Sequence, residues 1–258
     1  MKVLVINPNI SEGVTQRVQA TLRAALPTDV QIDGCTASFG VEYIETRAEA
    51  AIGGHATLDL LATRYDGHDV VIIAAFGDPA LVEARDLVPV PVIGLAQASL
   101  TVAALVARRV SILTIANRMH DWYWDAIDRN GMRHRIAAVV AIEQELKGQT
   151  IASFAEDSVE AVTAAVRATI RRDNADAVIL AGAPLAGVAD QVRPHVDVPL
   201  IDGVEAAARL AYGLAGLDLN RTRMEWGAGV PLKSASNLSP ELAQALSVSQ
   251  SPEPDATA

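Results

Sequence analysis

Asp69-Val70-Val71-Ile72-Ile73-Ala74-Ala75-Phe76-Gly77-Asp78-Pro79 decides the fold, because it returns as Asp176-Ala177-Val178-Ile179-Leu180-Ala181-Gly182-Ala183-Pro184. Each copy is an acidic residue, an uninterrupted apolar run and a turn of small residues. A short apolar run bounded by turn formers reads as a strand buried on both faces. Each copy is followed by a Val-Pro-x-Ile segment, Val90-Pro91-Val92-Ile93 in the first and Val198-Pro199-Leu200-Ile201 in the second. The offset is 107 residues at the Asp and 108 at the Val. Val110 to Thr114 likewise follows Val3 to Asn7 at an offset of 107. The chain therefore reads as a duplicated unit, in which each strand end has a structural twin.

Working outward, the pattern alternates strands and helices. Lys2 to Ile6 is a β-branched run ended by Asn7-Pro8-Asn9. Ser11 is placed to cap a helix in which Val14, Val18, Leu22 and Leu26 recur every four residues. Strands are expected at Val30 to Ala37 and Val90 to Ile93. Helices are expected at Thr46 to Tyr65, Pro79 to Asp86 and Gln97 to Val106, with a loop at Phe39 to Ile44. The second cycle repeats this order: Val110 to Thr114, a helix Asp121 to Asn130 stopped by Gly131, a strand Arg135 to Ile142, a helix Phe154 to Arg172, then the strands at Asp176 and Val198 and a helix Gly203 to Leu214. Apolar strands alternating with helices indicate an α/β fold with parallel sheets. One half is expected to take residues 1–97 and 205–217, and the other residues 98–204. Residues 218–258 form an appendage outside the repeat. It includes Trp226 and a helix opened by Pro240, and its last twelve or so residues, from Ser247, are polar enough to be disordered.

Composition narrows the function. The 258 residues are 50% apolar and carry a formal charge of −10. A nucleic-acid backbone demands a basic face, so such a partner is not expected. No apolar run reaches membrane-spanning length, and Met1-Lys2-Val3 runs straight into a strand, so no membrane partner and a cytoplasmic location are expected. Cys35 is the only cysteine. It excludes an internal disulfide and any cysteine cluster for zinc, and neither a metal nor a cofactor is expected. Its plain reading is a small buried hydrophobe.

Ligands of open parallel sheets bind beyond the carboxyl ends of the strands. Those ends are Asn7-Pro8-Asn9, Ala75-Phe76-Gly77-Asp78, Thr114-Ile115-Ala116 and Gly182-Ala183-Pro184. If the halves face each other, Ala75 and Gly182 lie across one cleft. Turns of small residues aim backbone amides at an anion, here those of Phe76 and Ala183. The Asn9 amide and the Thr114 hydroxyl are further expected contacts.

Ile6-Asn7-Pro8-Asn9 with Ser11 and Thr15, then Phe76-Gly77-Asp78-Pro79, Val90-Pro91-Val92-Ile93-Gly94, Leu185-Ala186-Gly187 and Ile201-Asp202-Gly203-Val204, resemble the aspartate/glutamate/hydantoin racemase superfamily, its hydantoin racemase branch above all. The resemblance spans about residues 2 to 214. It implies two flavodoxin-like halves related by a pseudo-two-fold, with the active site between them. It implies cofactor-independent proton transfer at an acidic carbon beside a carbonyl or carboxylate. In the racemases one cysteine from each half serves, a thiolate taking the proton and a thiol giving one to the opposite face. At those two positions this chain has Ala75 and Gly182. The fold and pocket carry over; the two-thiol mechanism does not.

Other groups must then be weighed as proton carriers. Asp78 would reach into the cleft as a base, or, more simply, cap the short helix after Pro79. Glu42, Tyr43 and Glu45 lie on the loop that lines substrate in the family, or are merely solvated. His120 is a general-acid candidate, with a surface histidine beside an N-capping Asp121 as the plainer reading. Trp122, Tyr123 and Trp124 form a ligand wall, a core contact or a dimer contact. Asp202 orients substrate or, preferably, caps the Gly203 helix. The expected function is racemase-superfamily chemistry without the two thiols on a small carboxylate or hydantoin-like ligand, in a homo-oligomer. The alternatives are a lyase or isomerase reaction in the same pocket and an inactive small-anion binder.

Overall fold

A computed structural model describes residues 1–142, 159–217 and 235–247. The order is β1 (Lys2–Asn7), α1 (Glu12–Ala25), β2 (Gln31–Thr36), α2 (Arg47–Arg64), β3 (Val70–Ile73), α3 (Leu81–Leu87), β4 (Val92–Gly94) and α4 (Leu95–Val106). The second cycle has β5 (Val110–Thr114), α5 (His120–Arg129), β6 (Ile136–Ala141), α6 (Val159–Asp173), β7 (Ala177–Leu180), α7 (Ala189–Val192), β8 (Leu200–Asp202) and α8 (Gly203–Ala215). A last helix, α9 (Pro240–Ser247), follows. The strands form two four-stranded sheets ordered β2-β1-β3-β4 and β6-β5-β7-β8, all pairs parallel. The fold is thus α/β with two sheets of one topology.

The repeated acid that opens each motif is a strand clamp. Asp69 accepts from the Lys2 amide at 2.7 Å, and Asp176 accepts from the Arg108 and Arg109 amides at 3.2 and 3.1 Å. Each carboxylate therefore ties the start of the central strand to its neighbour.

Alternation along the strands divides the core. Val3 and Val5 of β1, with Val70 and Ile72 of β3, join one large cluster that also takes Phe76, Val110, Ile112, Tyr123 and Val178. That cluster is continuous across both sheets. Leu4, Ile6, Val71 and Ile73 face the other way, onto Leu61 of α2, Leu81 of α3 and Leu242 of α9. Burial of a leucine-sized side chain contributes roughly 1.5–3 kcal/mol, so Leu242, 2% exposed, gives α9 a real anchor on the first sheet. The helices also cross: α4 packs on α8 and on β7 and β8, and α8 packs on α1 and β3.

Several local expectations change at their ends. Ser11 sits at the N-cap of α1 but makes no capping bond there; its backbone instead binds the Asn7–Asn9 turn, the amide donating to Asn9 Oδ1 and the carbonyl accepting from Asn7 Nδ2. The helix expected from Pro79 begins two residues later, because Ala80 takes a left-handed φ of 59°. The start of the helix expected from Phe154, Trp226 and residues 248–258 lie outside the described residues; Ser247 closes α9.

Candidate active site

The ladder bonds of both sheets stop at twin positions. Ala74 donates to Ile6 O at 2.7 Å, and Ala181 donates to Leu113 O at 2.8 Å. Beyond them the chain turns: the Asp78 amide closes on Ala75 O and the Leu185 amide on Gly182 O. Among the described residues, the Phe76 and Ala183 amides inside these turns donate to no protein acceptor. Both residues line one cavity between the sheets, together with Ala75 and Gly182. Asn9, Tyr43, Ile44, Met119, Trp122 and Tyr123 complete the wall.

Asn9 is fixed by its oxygen. Its Oδ1 accepts from Asn7 Nδ2 and from the Ser11 amide, so the Nδ2 donor is the end left for the cavity. Tyr43 lies on the loop after β2, and burial raises its pKa; the Ser11 side chain opposes this and Glu42 adds to it. Tyr123 is 1% exposed and stacks obliquely on Phe76, with ring centroids 4.8 Å apart. Its hydroxyl donates to Met119 Sδ at 3.4 Å, and Thr114 Oγ1 donates to the same sulfur at 3.3 Å. Burial drives this phenol well above the ordinary tyrosine range, and the charges of Asp78 and Glu45 add to the effect. Both phenols are therefore neutral donors near pH 7.

Tyr123 occupies a telling place. A Cβ on Gly182 would lie 3.5 Å from its hydroxyl. The second-half strand end thus carries an O–H group brought by α5 rather than by the strand itself. Gly182 has φ +109°, a conformation L side chains rarely adopt, so the space beside it is not simply open to another residue.

The cavity is small, about 30 Å³. One water needs roughly 10–15 Å³ by the same measure, so the space holds about two. Trp122 explains part of this. Its indole lies flat against Gly77, where a Cβ would meet the ring at 2.4 Å.

Several expected ligand contacts sit elsewhere. Asp78 does not line the cavity. Its carboxylate accepts from the Ala96 and Gln97 amides, both at 2.8 Å, and so caps α4 rather than the helix after Pro79. Burial raises its pKa to about 6, against the pull of those two amides, Arg129 and Arg85. Thr114 is 1% exposed and backs Tyr123 and Met119 instead of facing the ligand space. His120 is half exposed, held between Asp121 and the Trp124 indole N–H on the outer face of α5. Glu42 is exposed and away from the wall. Glu45 is ion-paired with Arg118. Gly77 lines a different groove, described below. Asp202 caps α8 as preferred, accepting from Val204 and Glu205, and also holds the Gly187 amide at 2.7 Å. Cys35 is buried and donates to Val5 O, with burial raising its thiol to about 11. Trp122 and Tyr123 are walls, whereas Trp124 sits outside under the Arg133 guanidinium. Sequence reasoning missed Ile44 and Met119, since apolar residues on irregular segments carry no periodic signal.

The model of the Asp/Glu/hydantoin racemase family matches residues 3–211. The chain belongs to that family. The hydantoin racemase of Paenarthrobacter aurescens is 31% identical over 225 residues, which cover 84% of this chain and 92% of that protein. The solved allantoin racemase of Klebsiella pneumoniae is 30% identical, with a TM-score of 0.82 over 94% of this chain and 98% of its own. Arylmalonate decarboxylase, at 15% identity and a TM-score of 0.60, shares the fold. The racemase-family fold therefore surrounds a cavity whose wall contains no carboxylate, imidazole or thiol among the described residues.

Proposed function

We propose that this racemase-family chain is an enzyme that protonates one face of an enolate at the carbon next to a carbonyl or carboxylate, in a small carboxylate or hydantoin-like substrate. The observation that carries this reading is the cavity's polar lining: Asn9 Nδ2, the Phe76 and Ala183 amides, and the Tyr43 and Tyr123 hydroxyls, all neutral donors. Donors aimed at a developing oxyanion stabilise an enolate. They do not generate one by removing a proton, and inversion needs a base and an acid on opposite faces.

Loss of carbon dioxide avoids that need. The bond to the departing carboxylate breaks, its electron pair enters the enolate, and carbon dioxide leaves. The Tyr123 O–H then gives its proton to the carbon, and the resulting phenolate recovers a proton from water. No base, thiol or cofactor takes part. A substrate requires more room than two waters, so binding must displace Trp122 or the loop carrying Tyr43.

The test is turnover in deuterium oxide followed by NMR, over a panel of 2-substituted malonates, hydantoins and allantoin. The reading expects decarboxylation with deuterium delivered to one face. Inversion of a hydantoin or of allantoin contradicts it, and points to a base that reaches the cavity from outside the wall. Saturable binding with neither exchange nor turnover also contradicts it, and supports an anion-binding protein.

A further inference from the structure

The turn that presents the Phe76 amide is strained, and its twin is not. Gly77, Asp78 and Ala80 have φ of +118°, +53° and +59°. Residues other than glycine seldom take such values. In the second turn positive φ falls only on glycines, Gly182 at +109° and Gly187 at +80°. Asp202 holds that turn through the Gly187 amide. The first turn has more fasteners. Asp78 ties it to α4, and α5 of the other half supplies the rest.

One stripe of α5 meets the first half. Trp122, Asp125 and Arg129 stand at i, i+3 and i+7, a single helix face. The Trp122 ring lies over Gly77, and Asp125 holds Arg47 of α2 with bonds of 2.5 and 2.8 Å. Arg129 Nη2 donates to Gly77 O at 2.6 Å. Gly77 is buried, and a buried carbonyl stripped of its donor is destabilising. The guanidinium is committed to this bond. Asp78 and Asp125 both feel its charge. The groove behind Trp122 likewise sets Arg47, Arg85 and Arg129 against Asp78, Glu83 and Asp125, so its charge is balanced. Arg129 therefore acts as a charge-assisted clamp on the carbonyl of the residue after Phe76. Tyr123 rides on the same helix, and its ring packs on Phe76 with centroids 4.8 Å apart. A single helix thus carries the proton donor of one half and grips the anion-binding turn of the other.

We propose that Arg129 is a positioning residue, which by holding Gly77 O fixes the Phe76 amide in register with the Tyr123 hydroxyl across the cavity. Arg129 does not line that cavity and acts only through the turn. The proposal rests on the enolate reading: the Phe76 amide steadies the oxyanion while Tyr123 protonates the carbon, so the two donors must keep a fixed separation. Without the clamp the strained turn relaxes and the amide leaves its place.

The experiment follows the Phe76 and Ala183 amides by ¹⁵N NMR while malonate is titrated into the full-length protein, with turnover of a 2-substituted malonate measured alongside. Both amides of the parent are expected to shift saturably. In Arg129→Gln the Phe76 resonance is expected to move and to lose its response, while Ala183 keeps its own. The kcat is expected to fall about 10²-fold with KM within about twofold, as a misplaced donor predicts. Arg129→Lys, which retains a charged donor, is expected to lose less. The amide comparison needs no turnover, so it judges Arg129 separately from the reaction. An unchanged Phe76 response in a folded Arg129→Gln protein overturns the proposal and leaves the enolate reading standing. Equal loss at Phe76 and Ala183 also overturns it, since that marks general loosening. Should Arg129→Gln fail to fold, Arg129→Lys is read in its place: a displaced Phe76 resonance beside an unmoved Ala183 supports the proposal, and an unmoved Phe76 overturns it. A parent in which neither amide responds and no substrate turns over removes the enolate reading itself, and the proposal with it.

Discussion

Asp78 shows how one residue type serves two positions in a duplicated chain. In the first half the carboxylate comes from the loop after β3 and reaches the amides of α4. In the second half it comes from the cap of α8, as Asp202, and reaches back to Gly187 in the loop after β7. The repeat pairs Asp202 with Gly94, and a Cβ on Gly94 would lie 2.2 Å from Asp78 Cγ. Each half thus ties the same loop to the same helix with a carboxylate supplied from opposite ends, and the position facing it is kept small. Asp78 is buried and its pKa is raised from 3.8 to about 6. The fold therefore favours the protonated form. That contribution is fully present below pH 3.8 and is lost as the pH rises through about 6, with a span on the order of 2–3 kcal/mol. Asp202 shifts in the same direction, so the parent curve alone does not isolate Asp78. The difference between parent and Asp78→Asn, from urea unfolding at several pH values, is expected to fall across that window. A constant difference contradicts the assignment. The Phe-Gly-Asp-Pro motif was legible as a cap, but the helix it caps begins 17 residues further on, and only the third dimension brings the two together.

At the scale of elements, strands were more legible than helix ends. Continuous apolar runs such as Val70–Ile73 are buried on both faces, and no polar alternative competes for them. Helix starts depend on which side chain reaches which amide. Thr46 and Glu49 form a capping box, as their spacing allows, but Ser11 at the matching place before α1 makes no cap bond at all. The twin turns after β3 and β7 differ in the same hidden way. Ala75 follows the strand with a Cβ in place, whereas Gly182 sits at φ +109°. A side chain in that region costs on the order of 1–3 kcal/mol even where space exists. Gly182→Cys is therefore expected to lower stability by about that amount, and Ala75→Cys by less than about 1.5 kcal/mol as a small volume change. Denaturant midpoints decide between them. Equal losses would mean that the second turn relaxes freely.

The whole molecule was legible as a repeat, because the strand motifs recur at a fixed offset. Its closure was not. Glu45–Arg118, Arg47–Asp125 and the Arg129–Gly77 bond all join residues more than 50 positions apart. No periodicity marks such pairs, and exposed ion pairs of this kind contribute little each, about 0–1 kcal/mol. Cohesion comes instead from the apolar cluster shared by both sheets and from α4 and α8 packing across it. A shared core predicts one cooperative unfolding transition, with calorimetric and van't Hoff enthalpies in agreement. Two resolved transitions would show halves that fold independently and a cleft free to open. The cleft itself was placed by the strand ends, but its donors were only half foreseen. The Phe76 and Ala183 amides followed from the turns; the Tyr123 hydroxyl beside Gly182 did not, since α5 delivers it from 59 residues earlier in the chain.

That hydroxyl is the centre of the account, and deuterium delivery in heavy water tests it most directly. Parent, Cys35→Ser and Tyr123→Phe proteins are compared by NMR for deuterium placed on one face of the product of a decarboxylated 2-substituted malonate. The account predicts full retention in Cys35→Ser and a loss of about 10²–10⁴-fold in Tyr123→Phe, the usual worth of a positioned acid. Undiminished delivery by a folded Tyr123→Phe protein, or silence in Cys35→Ser, would contradict it.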